Sequence, residues 1–220
     1  NGWHRNTAQR LIVERQDKSA IPYLKQLFEQ TQSPLGKIHA LWTLEGLSAL
    51  EESLVLKALT DRHPRVREHA VRLAENFAKS KTVQAALLTI ADDADSRVQF
   101  QAAFTLGQIK PPSAMEALAD LTVKQADNQW FRLAILSSVN DSASQFFSLL
   151  RKKNPQFNNE PLYSQLAALI GGKHDLKELA ELLKLISSLT KPESALAGLS
   201  KGLKLADVKN LRVANAETVL

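Results

Sequence analysis

Six residues that could recognise a partner occur as two matching trios. His39, Trp42 and Glu45 stand at steps of three, and His69, Arg72 and Glu75 repeat those steps 30 residues later. Steps of three place the members of a trio near one another on a helical face. A further repetition brings Phe104 to the middle position, with Phe100 one turn before it. An indole and two phenyl rings beside charged groups have the composition of a protein-recognition surface, with aromatic anchors and a polar rim. The same residues also fit a plainer arrangement, in which Trp42 and Phe104 pack on adjoining helices and the charges form a solvated ladder. His39 and His69 in equivalent places could converge on a metal with Glu45 or Glu75, but no short-spaced ligand pair supports this, so no metal is assigned. Catalysis has no support either. There is no phosphate-cradling glycine loop, no Gly-x-Ser-x-Gly elbow and no cysteine, so no catalytic residue and no cofactor are assigned.

The elements that must position these residues show themselves as a repeat. Small residues recur at Ala8, Ala40, Ala70, Ala102, Ala134, Ala167 and Ala197, at intervals of 30 to 33. Each lies in an amphipathic segment; around Ala70 the apolar stripe is Val66, Ala70, Val71, Leu73, Ala74 and Phe77. A small residue at the centre of the stripe lets a paired helix approach closely. Shorter apolar segments at 20–28, 54–59, 83–90, 114–123, 144–150 and 176–189 supply the partner helices. Turn residues separate them, among them Ser33-Pro34, Asp61 to Pro64 and Lys191-Pro192, with Pro placed where a helix's first N–H groups are unpaired anyway. Ser113 and Glu116 have capping-box spacing.

Stretches 61–75 (DRHPRVREHAVRLAE) and 93–107 (DADSRVQFQAAFTLG) resemble the second helix of a HEAT repeat, whose signature is a turn with Asp and Pro, then Val-Arg, then a buried Ala. The predicted fold is all-α, a right-handed α-solenoid of about six to seven short HEAT-like helix pairs over residues 1–220. The anchored helices would line the concave side, which places His39, Trp42, Glu45, His69, Arg72, Glu75, Phe100 and Phe104 on the partner-binding face. Residue 1 leads almost directly into the first anchored helix, so the first pair is expected to lack its leading helix and the chain to be a piece of a longer protein. Gly198 and Gly202 fall inside the last helix, where each costs about 1 kcal/mol relative to Ala. Residues 206–220 are expected to be weakly ordered or to belong to a further element.

Composition narrows the partners. The formal charge is +5, but the first half holds 15 basic against 12 acidic residues and the second 13 against 11, so no basic block forms. The row across the anchored helices reads Arg10, Trp42, Arg72, Phe104, Leu136, and a phosphate-tracking surface needs a continuous Lys/Arg row. A nucleic-acid-binding solenoid, similar to HEAT-like DNA glycosylases, is therefore the alternative and a protein partner the first reading. The absence of cysteine excludes disulfides and covalent haem attachment within these residues. No run approaches the roughly 18 apolar residues of a membrane span.

Three stretches, NGWHRNTAQRLIVERQD (1–17), IHALWTLEGLSAL (38–50) and DRHPRVREHAVRLAE (61–75), resemble one particular group. They are similar to the HEAT-repeat region of very large proteins of planctomycete- and verrucomicrobia-type bacteria, described as membrane-bound dehydrogenases. The resemblance covers roughly residues 1–110. In that family a β-propeller precedes the HEAT region and a cytochrome c domain follows it. The resemblance implies a non-enzymatic spacer or docking scaffold between redox modules, in an exported or periplasmic protein. It carries over no catalytic residue.

Overall fold

The computed structural model describes residues 1–109 and 112–204, and among them every regular element is helical. Thirteen α-helices follow in order: α1 (Gly2–Glu14), α2 (Ile21–Gln30), α3 (Pro34–Gly46), α4 (Glu52–Leu59), α5 (Pro64–Leu73), α6 (Lys81–Ile90), α7 (Ser96–Leu106), α8 (Pro112–Gln125), α9 (Gln129–Ser138), α10 (Ala143–Lys153), α11 (Glu160–Gly172), α12 (Leu176–Ser187) and α13 (Glu193–Gly202). The expectation for 206–220 lies outside the described residues.

Capping explains many of the helix starts. Ser33, His63, Ser80, Asp95, Asn128, Asn159 and Asp175 each accept a backbone N–H of the first turn of their helix. Pro follows directly in α3 and α5. Ser113 is no cap of α8, because that helix already begins at Pro112. Three single 3₁₀ turns, at Lys18–Ala20, Ala74–Phe77 and Asn140–Ser142, complete the described elements.

The chain forms two compact units, Asn1–Leu118 and Ala119–Leu220. In the first, α2 packs on α3, α4 on α5 and α6 on α7, and the anchored helices pack in succession as α1 on α3, α3 on α5 and α5 on α7. The partner helices α4 and α6 also touch. The second unit repeats the scheme with α9, α11 and α13 in one row and α10 and α12 in the other. This is the helix-pair stacking of an α-solenoid, in which each repeat is stabilised by its neighbours.

The anchors behave as predicted in the middle of the chain and differ at the two ends. Ala40, Ala70, Ala102, Ala134 and Ala167 are completely buried. Ala8 is exposed, and α1 buries none of its residues. Ala197 is exposed too, and the buried position is its neighbour Gly198. The reason is the closeness of α13 to α11. A Cβ on Gly198 would stand 1.9 Å from the carbonyl oxygen of Ser164, and one on Gly202 would stand 2.3 Å from that of Ala168. Those glycines are the contact surface of α13 as well as a cost to its helicity.

The turns are tied to one another. Lys37 reaches Asp61 in the following turn at 2.5 Å, and Arg67 reaches Asp93 in the turn after that. Arg67 also donates to the carbonyls of Asp61 and Arg62, and Gln99 donates to that of Asp93. Lys37, Arg67 and Gln99 each stand three residues before their buried anchor, so one register position serves the turns at Asp61 and Asp93.

Candidate functional site

The first unit brings the predicted trios together on the face made by α1, α3, α5 and α7. At its centre the indole N–H of Trp42 donates to Nδ1 of His69 at 3.0 Å, with the two rings perpendicular and their centroids 6.1 Å apart. The guanidinium of Arg72, one turn beyond His69, stands 5.7 Å from the Trp42 ring centroid, within cation–π range. A residue from α3 and two from α5 therefore hold one another, and Trp42 remains half-buried.

His39 takes a different partner. Its Nδ1 lies 2.6 Å from Oε1 of Gln9 on α1, and its backbone carbonyl accepts the Thr43 hydroxyl at 2.6 Å. Glu75 accepts the hydroxyl of the buried Thr105 at 2.7 Å, and Gln101 in turn donates to Thr105. Phe100 and Phe104 meet edge to face at 5.2 Å on α7. Gln9 and Thr105 were not singled out in the sequence. The signal for Gln9 was the period itself, since it precedes His39 by 30 residues.

Glu45 joins a cleft of about 400 Å³ between α1 and α3, lined also by Asn6, Gln9, Arg10, Val13 and Trp42. Arg10, on its rim, lies 3.6 Å from Glu14, and both side chains are well exposed. The structure thus places all eight predicted residues on α3, α5 and α7 or the turn after α5. It joins Trp42, His69 and Arg72 directly, and it ties His39 and Glu75 to residues of neighbouring helices instead.

The surroundings of both imidazoles disfavour the protonated form. Burial lowers the pKa of His69, and the charges of Arg65 and Arg72 lower it further, against a raising effect from Glu68. Burial likewise lowers that of His39, followed by the charges of Arg5 and His69. Among the described residues no group of three His, Asp or Glu side chains could hold a metal ion, and both Nδ1 atoms already have partners.

The second unit carries a separate cleft of about 550 Å³ along α9 and α11, lined by Leu133, Leu136, Ser137, Asn140, Gln165 and Leu169 among others. Leu133 is half-exposed, whereas Leu136 is buried.

A comparison with protein families bears on what such faces are for. Residues 51–140 match the family of HEAT repeats. The matched span contains helices α4 to α9, among them the pairs α4 with α5 and α6 with α7, and therefore His69, Arg72, Glu75, Phe100 and Phe104. HEAT repeats generally serve as protein-interaction scaffolds and are typically non-catalytic. Among curated proteins the sequence finds no match. No helix among the described residues is long and apolar enough to cross a membrane.

Proposed function

We propose that this chain is a non-catalytic HEAT-repeat scaffold that holds a protein partner, or a neighbouring domain of the same polypeptide, through the face of α1, α3, α5 and α7. One observation carries the reading: the half-buried indole of Trp42, fixed on one side by His69 and on another by Arg72. An aromatic ring fixed before binding loses little freedom on contact, which is the property of an interface anchor. Phe100 and Phe104 extend the apolar part of the surface, while Glu45, Glu75 and His39 form its polar border. The resemblance of residues 1–17, 38–50 and 61–75 to the HEAT region of large bacterial dehydrogenases supports a more specific setting. There the chain would be a single repeat domain of a multidomain redox protein, with the propeller and haem domains as the neighbours to be held.

The test is a binding measurement between this chain and the adjoining domains encoded by the parent gene. Saturable binding that Trp42→Ala weakens at least tenfold, with Phe104→Ala weakening it further, is the expected result. Binding untouched by both substitutions removes this face from the function.

A further inference from the structure

An indole N–H can only donate, so the bond from Trp42 to His69 fixes the state of the imidazole. Nδ1 of His69 must carry a lone pair, and the ring's one proton must sit on Nε2. We infer that the Trp42–His69 pair is an acid-sensitive latch: a proton arriving on Nδ1 of His69 removes the acceptor and sets two N–H groups against each other. Trp42 is then left with Arg72, whose guanidinium gains a second cation beside it.

The groups around His69 decide how the latch responds. On α5 these are Arg65 and Arg72, which oppose a proton, and Glu68, which favours one. On α3 it is His39, itself beside Arg5 of α1, so cations reach the pair from that side as well. The position of α7 in the same register is Gln101, which is uncharged, and the buried residues of α4 are Leu54, Val55, Ala58 and Leu59. The surroundings thus favour the closed latch at neutral pH and its opening in acid, below the ordinary imidazole range near 6.5. The consequence for a partner rests on the scaffold reading above, whereas the latch is a property of the free protein and is tested without any partner.

The experiment uses the full chain with Trp3→Phe and Trp130→Phe, both exposed residues, so that Trp42 supplies the sole indole signal. Its N–H resonance and the His69 ring resonances are followed by NMR from pH 8 to pH 4.5. The expected result is a shared midpoint below 6.5, with the indole's protection from exchange, relative to a free indole at the same pH, at least tenfold lower on the acid side and an unchanged far-UV spectrum. His69→Gln, whose amide oxygen can accept the indole N–H but cannot titrate, is expected to hold the resonance in place. His39→Gln is expected to leave the transition present. An indole signal that is flat over this range overturns the proposal. So do midpoints that differ between the two rings, the same transition in His69→Gln, or loss of helical signal at the same pH.

Discussion

Arg67 of α5 holds Asp93 of the next turn with two parallel bonds, Nε to Oδ2 at 2.6 Å and Nη2 to Oδ1 at 2.8 Å. The third nitrogen, Nη1, donates back to the carbonyl of Asp61 at 2.8 Å. The planar guanidinium suits this task because its donors form a rigid fork, which a lysine ammonium cannot reproduce. The pair is also well shielded: the Arg67 and Asp93 side chains are 17% and 7% exposed, against 61% and 45% for Lys57 and Glu29.

That contrast predicts unequal costs. Arg67→Ala strands a buried carboxylate and should lower stability by about 3 kcal/mol. Lys57→Ala breaks an equally short but open pair and should cost less than about 1 kcal/mol. Urea unfolding of the two variants checks the order, and equal midpoints would refute it.

Acid should loosen the first unit in two stages. Burial lowers the His69 and His39 pKa values below the ordinary 6.5, so an unfolded chain binds protons first as the pH drops through that value. Stability from the neutral imidazoles is therefore complete above about 6.5 and declines as pH falls towards their folded values. The second stage belongs to Asp61 and Asp93. Burial alone would raise both, but the Lys37 bond to Asp61 and the Arg67 bond to Asp93, each joined by a backbone N–H, bring them below 3.8. Their contribution is present above about 3.8 and lost as pH falls through the lowered values. Urea midpoints between pH 8 and pH 2.5 should fall in both windows, and Asp93→Asn should flatten the lower one.

Gly198→Ala should detach α13. Helix propensity alone would reward the change by about 1 kcal/mol. The added methyl would lie 1.9 Å from a backbone oxygen of Ser164, which cannot move without displacing α11. Gly172→Ala is the control, because its methyl would meet nothing nearer than 3.9 Å. Hydrogen exchange of α13 amides should rise sharply in the first variant and stay unchanged in the second.

Tyr163→Phe should weaken the turn between α10 and α11. The Tyr163 hydroxyl donates to the carbonyl of Phe157, and Arg151 donates to the carbonyls of Pro155 and Phe157. Tyr163 is completely buried, and burial raises its pKa against the opposing influence of Arg151. Removing the hydroxyl should cost about 1 kcal/mol in thermal or urea unfolding. An unchanged midpoint would assign the turn to Arg151 alone.

Much of this was legible because the signals were local and periodic. Ala70 set a register that the structure honours at Ala40, Ala102, Ala134 and Ala167, and capping residues marked many of the helix starts. Ala197 was misleading because Ala and Gly are both small, and only the approach of α11 distinguishes position 197 from 198. In the candidate site, periodicity put Trp42, His69 and Arg72 on one face. It could not assign the partners, because Gln9 rather than His69 meets His39, and Thr105 rather than solvent meets Glu75. Those choices depend on how far each helix slides against the next, and the spacing of residues along one helix does not record that.

The shared turns have a consequence for cutting and splicing this protein. Asp61 belongs to the clamp of Lys37 through its side chain and to that of Arg67 through its carbonyl, so the boundary between α4 and α5 is tied on both sides. A deletion that ends at that boundary would orphan one half of a clamp. A deletion running from one clamp position to the next, such as residues 38–67, would bring Lys37 into the place of Arg67, facing Asp93 with one bond where there had been two. The natural currency of rearrangement here is therefore the clamp-to-clamp interval, with a helix pair counted from the middle of one anchored helix to the middle of the next.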